Sequence, residues 1–298
     1  MRRGRSDPTL AVEYRIVPLR EARRTVISAA DHQYARTLQQ LLLSAERHGA
    51  RTGTGWIVFD LGLTAADRAA LASRFPWVRV EAFDFSAHPP HVRALASCAW
   101  KPVVIEDVLT REGGAVLWLD SASILHAGLD EVLARIADEG LLTLVGQSPA
   151  RRWCHEATSL FMRVPASDLD FPCRSAGVLG FAGDRPAVRD LVAEWRRLAL
   201  IEACIAPPGA NRTNHRYDQA ILTHLLHAYA RDRGLALGND EVDISSTHPV
   251  GWVSTRNAVS PRVPLALDVL VRASYAVYKR GDRLALRARA GLAPRRAR

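Results

Sequence analysis

Gly114-Ala-Val-Leu-Trp-Leu-Asp-Ser-Ala-Ser123 is the stretch whose reading decides the fold. An unbroken apolar run, Ala115 to Leu119, stops at Asp120 and three small residues. An apolar run without alternation reads as a strand buried on both faces, as in a parallel sheet covered by helices. Ligands of open α/β sheets bind beyond the carboxyl ends of the strands, so this segment delivers one carboxylate to that rim. A carboxylate there suits a metal-bound diphosphate. The competing reading is that Asp120 caps the element that follows.

Upstream, the same rhythm repeats. Thr25–Ala30 is a short apolar run that meets Asp31, and Tyr34, Leu38, Leu41, Leu42 and Ala45 then share one helical stripe. Trp56–Phe59 reads as a second strand, and Thr64 with Asp67 as the start of a helix reaching Phe75. Val78–Phe85 reads as a third strand and His88–His91 as a loop. A helix is expected from Val92, bent or restarted at Pro102 and running to Arg111. Downstream, a helix at Leu129–Asp138 precedes a strand at Leu141–Val145. Strands alternating with helices predict a mostly parallel sheet with right-handed crossovers. Residues 147–173 are irregular, Ala176–Phe181 reads as a returning strand, and helices are expected at Pro186–Ala203 and Tyr217–Asp232. The expected class is thus α/β, Rossmann-like, with an irregular second half.

The 298 residues carry a net charge of +9, unevenly spread. Residues 1–24 hold seven Arg against three acids, and residues 272–298 hold nine basic residues against one acid. The body, 25–271, is therefore slightly acidic, at −3. A nucleic-acid reader shows the opposite pattern, a basic body with interleaved aromatics, so nucleic acid is not an expected partner. Basic ends fit an anionic lipid surface or solubility. No run of 18 apolar residues exists, and the basic N-terminus lacks an apolar signal core. Cys98, Cys154, Cys173 and Cys204 form no Cys-x-x-Cys pair and read as reduced thiols of a cytoplasmic protein. The expected organisation is a basic arm (1–24), one domain (25–260) and a basic amphipathic C-terminal segment (261–298). Within the last, Leu265–Arg289 has a helical period that suits the inner face of a membrane, or docking on the body.

Several residues carry chemistry on this scaffold. Asp31 and Tyr34, at the end of the first strand, offer a carboxylate for a base edge or ribose and a ring for stacking. Alternatively they are a helix cap and a core aromatic. Lys101 is one of two lysines in an Arg-rich chain. Its compact ammonium suits a phosphate, against the reading of a solvated surface lysine. Asp120 is the metal candidate, because hard cations such as Mg²⁺ and Mn²⁺ take carboxylates together with substrate phosphates. Residue 122 is Ala, so Ser121 or Ser123, and His248 late in the chain, are the remaining ligand candidates. Asp218 and Gln219 stand at a helix start. Asp218 either serves the helix dipole or stabilises positive charge at a sugar carbon. Ser175 either bonds a sugar hydroxyl or belongs to a turn. The Gly-x-Ser-x-Gly and P-loop patterns are absent.

Together these residues resemble the nucleotide-sugar glycosyltransferases of the GT-A fold. Ser28-Ala-Ala-Asp31 with Tyr34 and the Leu41-Leu-Leu-Ser44 helix is similar to the opening of the retaining, glycogenin-like class, where the Asp and Tyr contact the uracil side of a UDP-sugar. Leu117-Trp-Leu-Asp-Ser121 resembles that class's metal-binding strand, with Ala122 in place of its second Asp. Ser175-Ala-Gly-Val-Leu-Gly-Phe181, Tyr217-Asp-Gln219 and His248 with Gly251 and Trp252 resemble its later elements. Phe59-Asp-Leu-Gly-Leu63, Pro90-His-Val92, Trp100-Lys-Pro102, His215-Arg-Tyr-Asp-Gln219 and Ser254-Thr-Arg-Asn257 look like hallmarks of a related domain family of undefined chemistry. The resemblance implies a hexosyltransferase-type enzyme that moves a sugar from a UDP-sugar to a glycan, lipid-linked or protein acceptor, with retention and with a divalent cation. A sugar-binding protein without turnover on the same fold is the alternative, and a membrane-associated scaffold acting through its C-terminus is a third reading.

Overall fold

The computed structural model describes residues 23–238 and 252–255. In chain order the elements are β1 (Arg24–Ala30), α1 (Ala35–Arg47), β2 (Gly55–Asp60), α2 (Ala65–Arg74), β3 (Val78–Ala82), α3 (Trp100–Glu112), β4 (Ala115–Leu119) and β5 (Ile124–Leu125). There follow α4 (Asp130–Glu139), β6 (Leu141–Pro149), α5 (Glu156–Phe161), β7 (Pro172–Ala182), α6 (Pro186–Ala199), α7 (Glu202–Ile205), α8 (Asp218–Arg233) and β8 (Val253–Ser254). The arm before residue 23, His248 and the C-terminal segment 261–298 lie outside the described residues. Among the described residues no helix is long and apolar enough to cross a membrane.

The main sheet has the order β3-β2-β1-β4-β7-β6. β3, β2, β1 and β4 run parallel, and β7 alone is reversed, pairing antiparallel with β4 and with β6. This is the mostly parallel, helix-flanked α/β sheet expected from the sequence. Each residue of β4 is buried. Val116 and Trp118 point into the layer of α3, α6 and α8, while Ala115, Leu117 and Leu119 point into that of α1 and α4. That two-sided burial is why the strand shows no polar alternation. β7 carries Gly180 where a Cβ would fall 2.4 Å from the Ile136 side chain, so α4 lies directly on the backbone there.

Four expectations are corrected. The third strand ends at Ala82, because Asp84 accepts the Ser86 amide at 2.8 Å and starts a 3-10 turn at Phe85–Ala87. The helix expected from Val92 is two 3-10 turns, Pro90–Arg93 and Leu95–Ser97, and α3 begins only at Trp100, after Cys98 in a left-handed conformation (φ 53°). Pro102 bends nothing, since it sits in the first turn of α3, where its missing N–H has no helical partner to lose. The helix expected to run from Pro186 to Ala203 stops at Ala199, where Leu200 and Ile201 turn onto the core, and restarts as α7. The four cysteines are free thiols.

Candidate active site

The centre of the site is Lys101. α3 begins uncapped by any side chain at Ala99, which puts Lys101 in its first turn. Side chains two apart on a strand share a face, so Trp118 and Asp120 both project towards α3. The Trp118 Nε1–H donates to Asp120 Oδ1 at 2.8 Å, and Lys101 Nζ donates to the same oxygen at 2.9 Å. The ammonium also donates to the Ala176 carbonyl at 3.1 Å and lies 3.4 Å from Asp218 Oδ2. It stands 5.2 Å from the Trp118 ring centre, within cation–π range. The Lys101 side chain is 5 % exposed, that of Asp218 7 %, and that of Asp120 41 %.

Lys101 is thus neither a solvated lysine nor a free phosphate ligand: its protons face two carboxylates and a carbonyl. Burial works to lower its pKa, but Asp120 and Asp218 outweigh that and hold the ammonium charged. Asp218 is the first residue of α8, another helix start without a side-chain cap. Burial raises its pKa to about 6, against the opposing pull of Lys101. Its Oδ2 is buried without a hydrogen-bond partner, the Lys101 contact lacking hydrogen-bond geometry. The Asp218 carboxyl, expected to stand near a sugar carbon, is almost fully buried and faces Lys101. Tyr217, just before it, has φ 47° and ψ −113°, a strained conformation for a residue with a Cβ. Such strain concentrates at functional sites.

β7 completes the site. The Asp120 amide donates to the Gly177 carbonyl at 2.9 Å. A Cβ on Gly177 would fall 3.2 Å from Asp120 Oδ2 and 3.7 Å from Ser175 Oγ, so the glycine leaves that oxygen uncovered and Ser175 stands beside it. Ser175 Oγ accepts the Gly177 amide at 3.2 Å, the turn-like role. Ser121 is buried next to Asp120. Gln219 lines a neighbouring small cleft with Trp153, Arg216 and Thr223. Asp31 accepts the Tyr34 amide at 3.1 Å, as a cap, while Tyr34 is 45 % exposed and so is not a core aromatic.

A divalent cation at Asp120 requires oxygen ligands that are free to turn to it. One oxygen of Asp120 is already taken by an ammonium and an indole, residue 122 is Ala, and Asp218 is sealed against Lys101. Among the described residues no three His, Cys, Asp or Glu gather as a cation cluster. A resident positive charge on the same carboxylate also opposes a second cation. These donors do not fit the cation that the resemblance implies.

Sequence reasoning missed three parts of the site. Trp118 was legible, being two residues before Asp120 on the same strand face. The Ala176 carbonyl and the left-handed Cys98 that precedes α3 leave no mark in the sequence. His215, in this half, is structural. His215 Nδ1 accepts the His155 amide at 3.1 Å, so its Nε2–H donates to the Ile205 carbonyl at 2.9 Å, and burial lowers its pKa to about 4.

No family model matches the chain, and no curated protein matches it. The chain is similar to several solved structures. One is the WbbM bifunctional glycosyltransferase in its apo form, at 16 % identity and a TM-score of 0.45 over 70 % of this chain and 38 % of that one. Another is the galactosyltransferase LgtC in complex with donor and acceptor sugar analogs, at 20 % and 0.42 over 78 % and 87 %. A third is mouse xyloside xylosyltransferase 1, apo form, at 11 % and 0.49 over 80 % and 99 %. The chain thus spans 38 % of the length of the first.

Proposed function

We propose that this chain is a glycosyltransferase of the hexosyltransferase type, moving a sugar from a nucleoside diphosphate, UDP favoured, to an acceptor hydroxyl on a glycan, a lipid-linked sugar or a protein. The observation that carries the reading is the buried Lys101 ammonium at the carboxyl rim of the sheet, tied to Asp120 and Asp218. In the transfer, the bond from the anomeric carbon to the diphosphate breaks with its electron pair on the phosphate oxygen. The acceptor oxygen bonds to the same carbon, and its proton leaves with the departing phosphate. The protein's task is to meet negative charge developing on the leaving group. Two carboxylates and one ammonium sum to −1, and the starts of α3 and α8 each supply about half a positive charge. The site is then near neutral, and a fixed cation lies close to where the anion forms. Asp218 acts by positioning Lys101. Tyr34 offers its exposed ring to the base, and Ser175 stands where a sugar hydroxyl would come. Retention follows from the resemblance to the glycogenin-like class. The divalent cation of that class has no step in this scheme, since the donors around Asp120 do not fit it.

Purified protein is screened against UDP- and GDP-sugars by saturation-transfer NMR and by release of nucleoside diphosphate. Wild type is expected to bind a UDP-hexose and Asp120→Ala to lose it. Equal behaviour of the two forms, or binding by neither, defeats the reading. A second reading, sugar-nucleotide binding without turnover, is favoured by one observation, the sealing of Asp218 against Lys101. It predicts saturable binding with no nucleoside diphosphate released in the presence of any acceptor. We place the protein in the cytoplasm, peripheral at the inner face of the membrane through residues 261–298, on the strength of their basic composition. Liposome sedimentation of the full chain and of a chain ending at residue 260 tests that placement. Equal sedimentation of the two forms removes it.

A further inference from the structure

We infer that Lys101 is the resident cation of this site, and that Asp120 presents Oδ2 to a hydroxyl of the donor where related sites would present it to a divalent metal. The inference depends on the glycosyltransferase reading only for the identity of the ligand. Asp120 Oδ1 is saturated by two strong donors, Lys101 Nζ at 2.9 Å and Trp118 Nε1 at 2.8 Å. Both arrive from elements packed in the core, so the carboxylate is fixed in orientation. Oδ2 accepts no hydrogen bond among the described residues, and Gly177 leaves open the side a Cβ would close. An ionised carboxylate oxygen with open lone pairs is an acceptor only, which suits a sugar or ribose hydroxyl. A metal would find one free carboxylate oxygen here and no second carboxylate, since the one nearby faces the ammonium, 3.4 Å from it. Lys101 is in this sense a positioning residue: it holds Asp120 for the ligand and offsets one of the two negative charges that would attract a divalent ion.

The deciding measurements are Mn²⁺ titrations followed by electron paramagnetic resonance on protein without nucleotide, and calorimetric titration of UDP-hexose in EDTA and in Mn²⁺. Wild type should show no saturable Mn²⁺ site in the micromolar range. Lys101→Met, which turns two carboxylates loose towards each other, should bind Mn²⁺ at least about tenfold more tightly than wild type. UDP-hexose should bind wild type equally well with and without EDTA. Gly177→Ala puts a methyl group 3.2 Å from Oδ2, with Asp120 and Ser175 its nearest neighbours. It should weaken UDP-hexose at least about tenfold while far-UV dichroism and the Mn²⁺ titration stay as in wild type. This variant keeps the test alive if Lys101→Met fails to fold. A tight Mn²⁺ site in wild type, or UDP-hexose binding that EDTA abolishes and Mn²⁺ restores, overturns the inference and leaves the glycosyltransferase reading intact. Full UDP-hexose affinity in Gly177→Ala overturns the role of Oδ2. If no sugar nucleotide binds under either condition while the two Mn²⁺ titrations differ as expected, the glycosyltransferase reading falls and the Lys101 assignment stands.

Discussion

Three neighbouring parallel strands, β1, β2 and β4, each end at an aspartate, and the three carboxylates do different work. Asp31 accepts the amide of Tyr34 at 3.1 Å. Asp60 accepts the amides of Gly62 and Leu63 at 2.8 and 2.6 Å and pairs with Arg68 at 2.8 Å. Burial pushes the Asp60 pKa up, but those amides and Arg68 outweigh it and hold the carboxyl below its ordinary value. After β4 the turn closes on the backbone of Asp120, whose carbonyl accepts the Ser123 amide at 2.9 Å. The side chain has no such turn to serve, and its partners are Lys101 on α3, 19 residues earlier, and Trp118 in β4 itself. On the proposed reading, a carboxylate at the rim of this sheet is available to a ligand where the following turn leaves it free. Perturbing each of the three partnerships tests that distinction.

The largest effect is expected at Lys101. Removing one member of a buried ion cluster leaves the others uncompensated. Lys101→Met should destabilise the protein by about 3–5 kcal/mol in urea unfolding at neutral pH or above. The loss should shrink on acidification, because Asp218 can take up a proton once its counter-charge is gone. A loss under about 1 kcal/mol would mean that the cluster contributes no more than a surface pair, and the contrast with Asp31 and Asp60 would collapse.

Asp218 supplies the next effect, with a defined sign. Its pKa is about 6 in the fold and 3.8 when unperturbed. The folded state therefore favours the protonated carboxyl. Its contribution to stability is fully present below pH 3.8 and is lost as pH rises through about 6. The difference corresponds to about 3 kcal/mol. Asp218→Asn should flatten this part of the stability profile when unfolding is measured across that window. His215 and His224 work the other way. Burial lowers each to about 4, so their contribution is present above pH 6.5 and is lost as pH falls through about 4. Protonation of Asp218 also removes one negative charge beside Lys101. UDP-hexose affinity of wild type should then rise as pH falls through about 6, and that of Asp218→Asn should not.

Much of this was legible in the sequence. The unalternating run at Ala115–Leu119 gave the buried strand, and the Thr64 and Asp67 capping box gave α2. The stripe of Leu38, Leu41, Leu42 and Ala45 gave the buried face of α1, with Tyr34 the exception because it precedes the helix and faces outward. The spacing of Lys101, Asp120 and Asp218 did not reveal that they meet, since that contact is made by the crossing of α3, β4 and α8. Nor did it reveal that Lys101 would be sealed. Helical periodicity misled at Val92, where prolines at 89 and 90 favour 3-10 turns. The parallel half is the more legible because each of its strands is bounded by local signals. The half after β6 depends on distant contacts such as Thr158 Oγ1 to the Cys204 carbonyl at 2.7 Å.

At Asp60 the expected effect is on stability alone. Asp60→Ala leaves the Gly62 and Leu63 amides without their acceptor and Arg68 without its counter-charge. Each lost partnership of this kind costs about 1 kcal/mol, so a fall of about 1–3 kcal/mol is expected in thermal or urea unfolding. UDP-hexose binding should match wild type at temperatures where the variant is folded. Loss of binding out of proportion to stability would place Asp60 in the site and contradict its reading as a turn-forming residue.

Asp31 gives the smallest effect and the sharpest contrast, because two roles meet at one residue. As a cap it contributes about 1 kcal/mol, the usual cost of replacing such a residue by Ala. Its carboxylate has one amide partner among the described residues, compared with two amides and an arginine at Asp60. Acceptor capacity therefore remains beside the exposed Tyr34 ring. Asp31→Asn preserves a capping oxygen while removing the charge, so it should retain wild-type stability within a few tenths of a kcal/mol. If Asp31 serves only its turn, Asp31→Asn will bind UDP-hexose as wild type does. If it also receives the base or ribose of the donor, affinity falls by about tenfold without a change in stability. In that case the dividing line among the three aspartates runs between Asp60 and the other two.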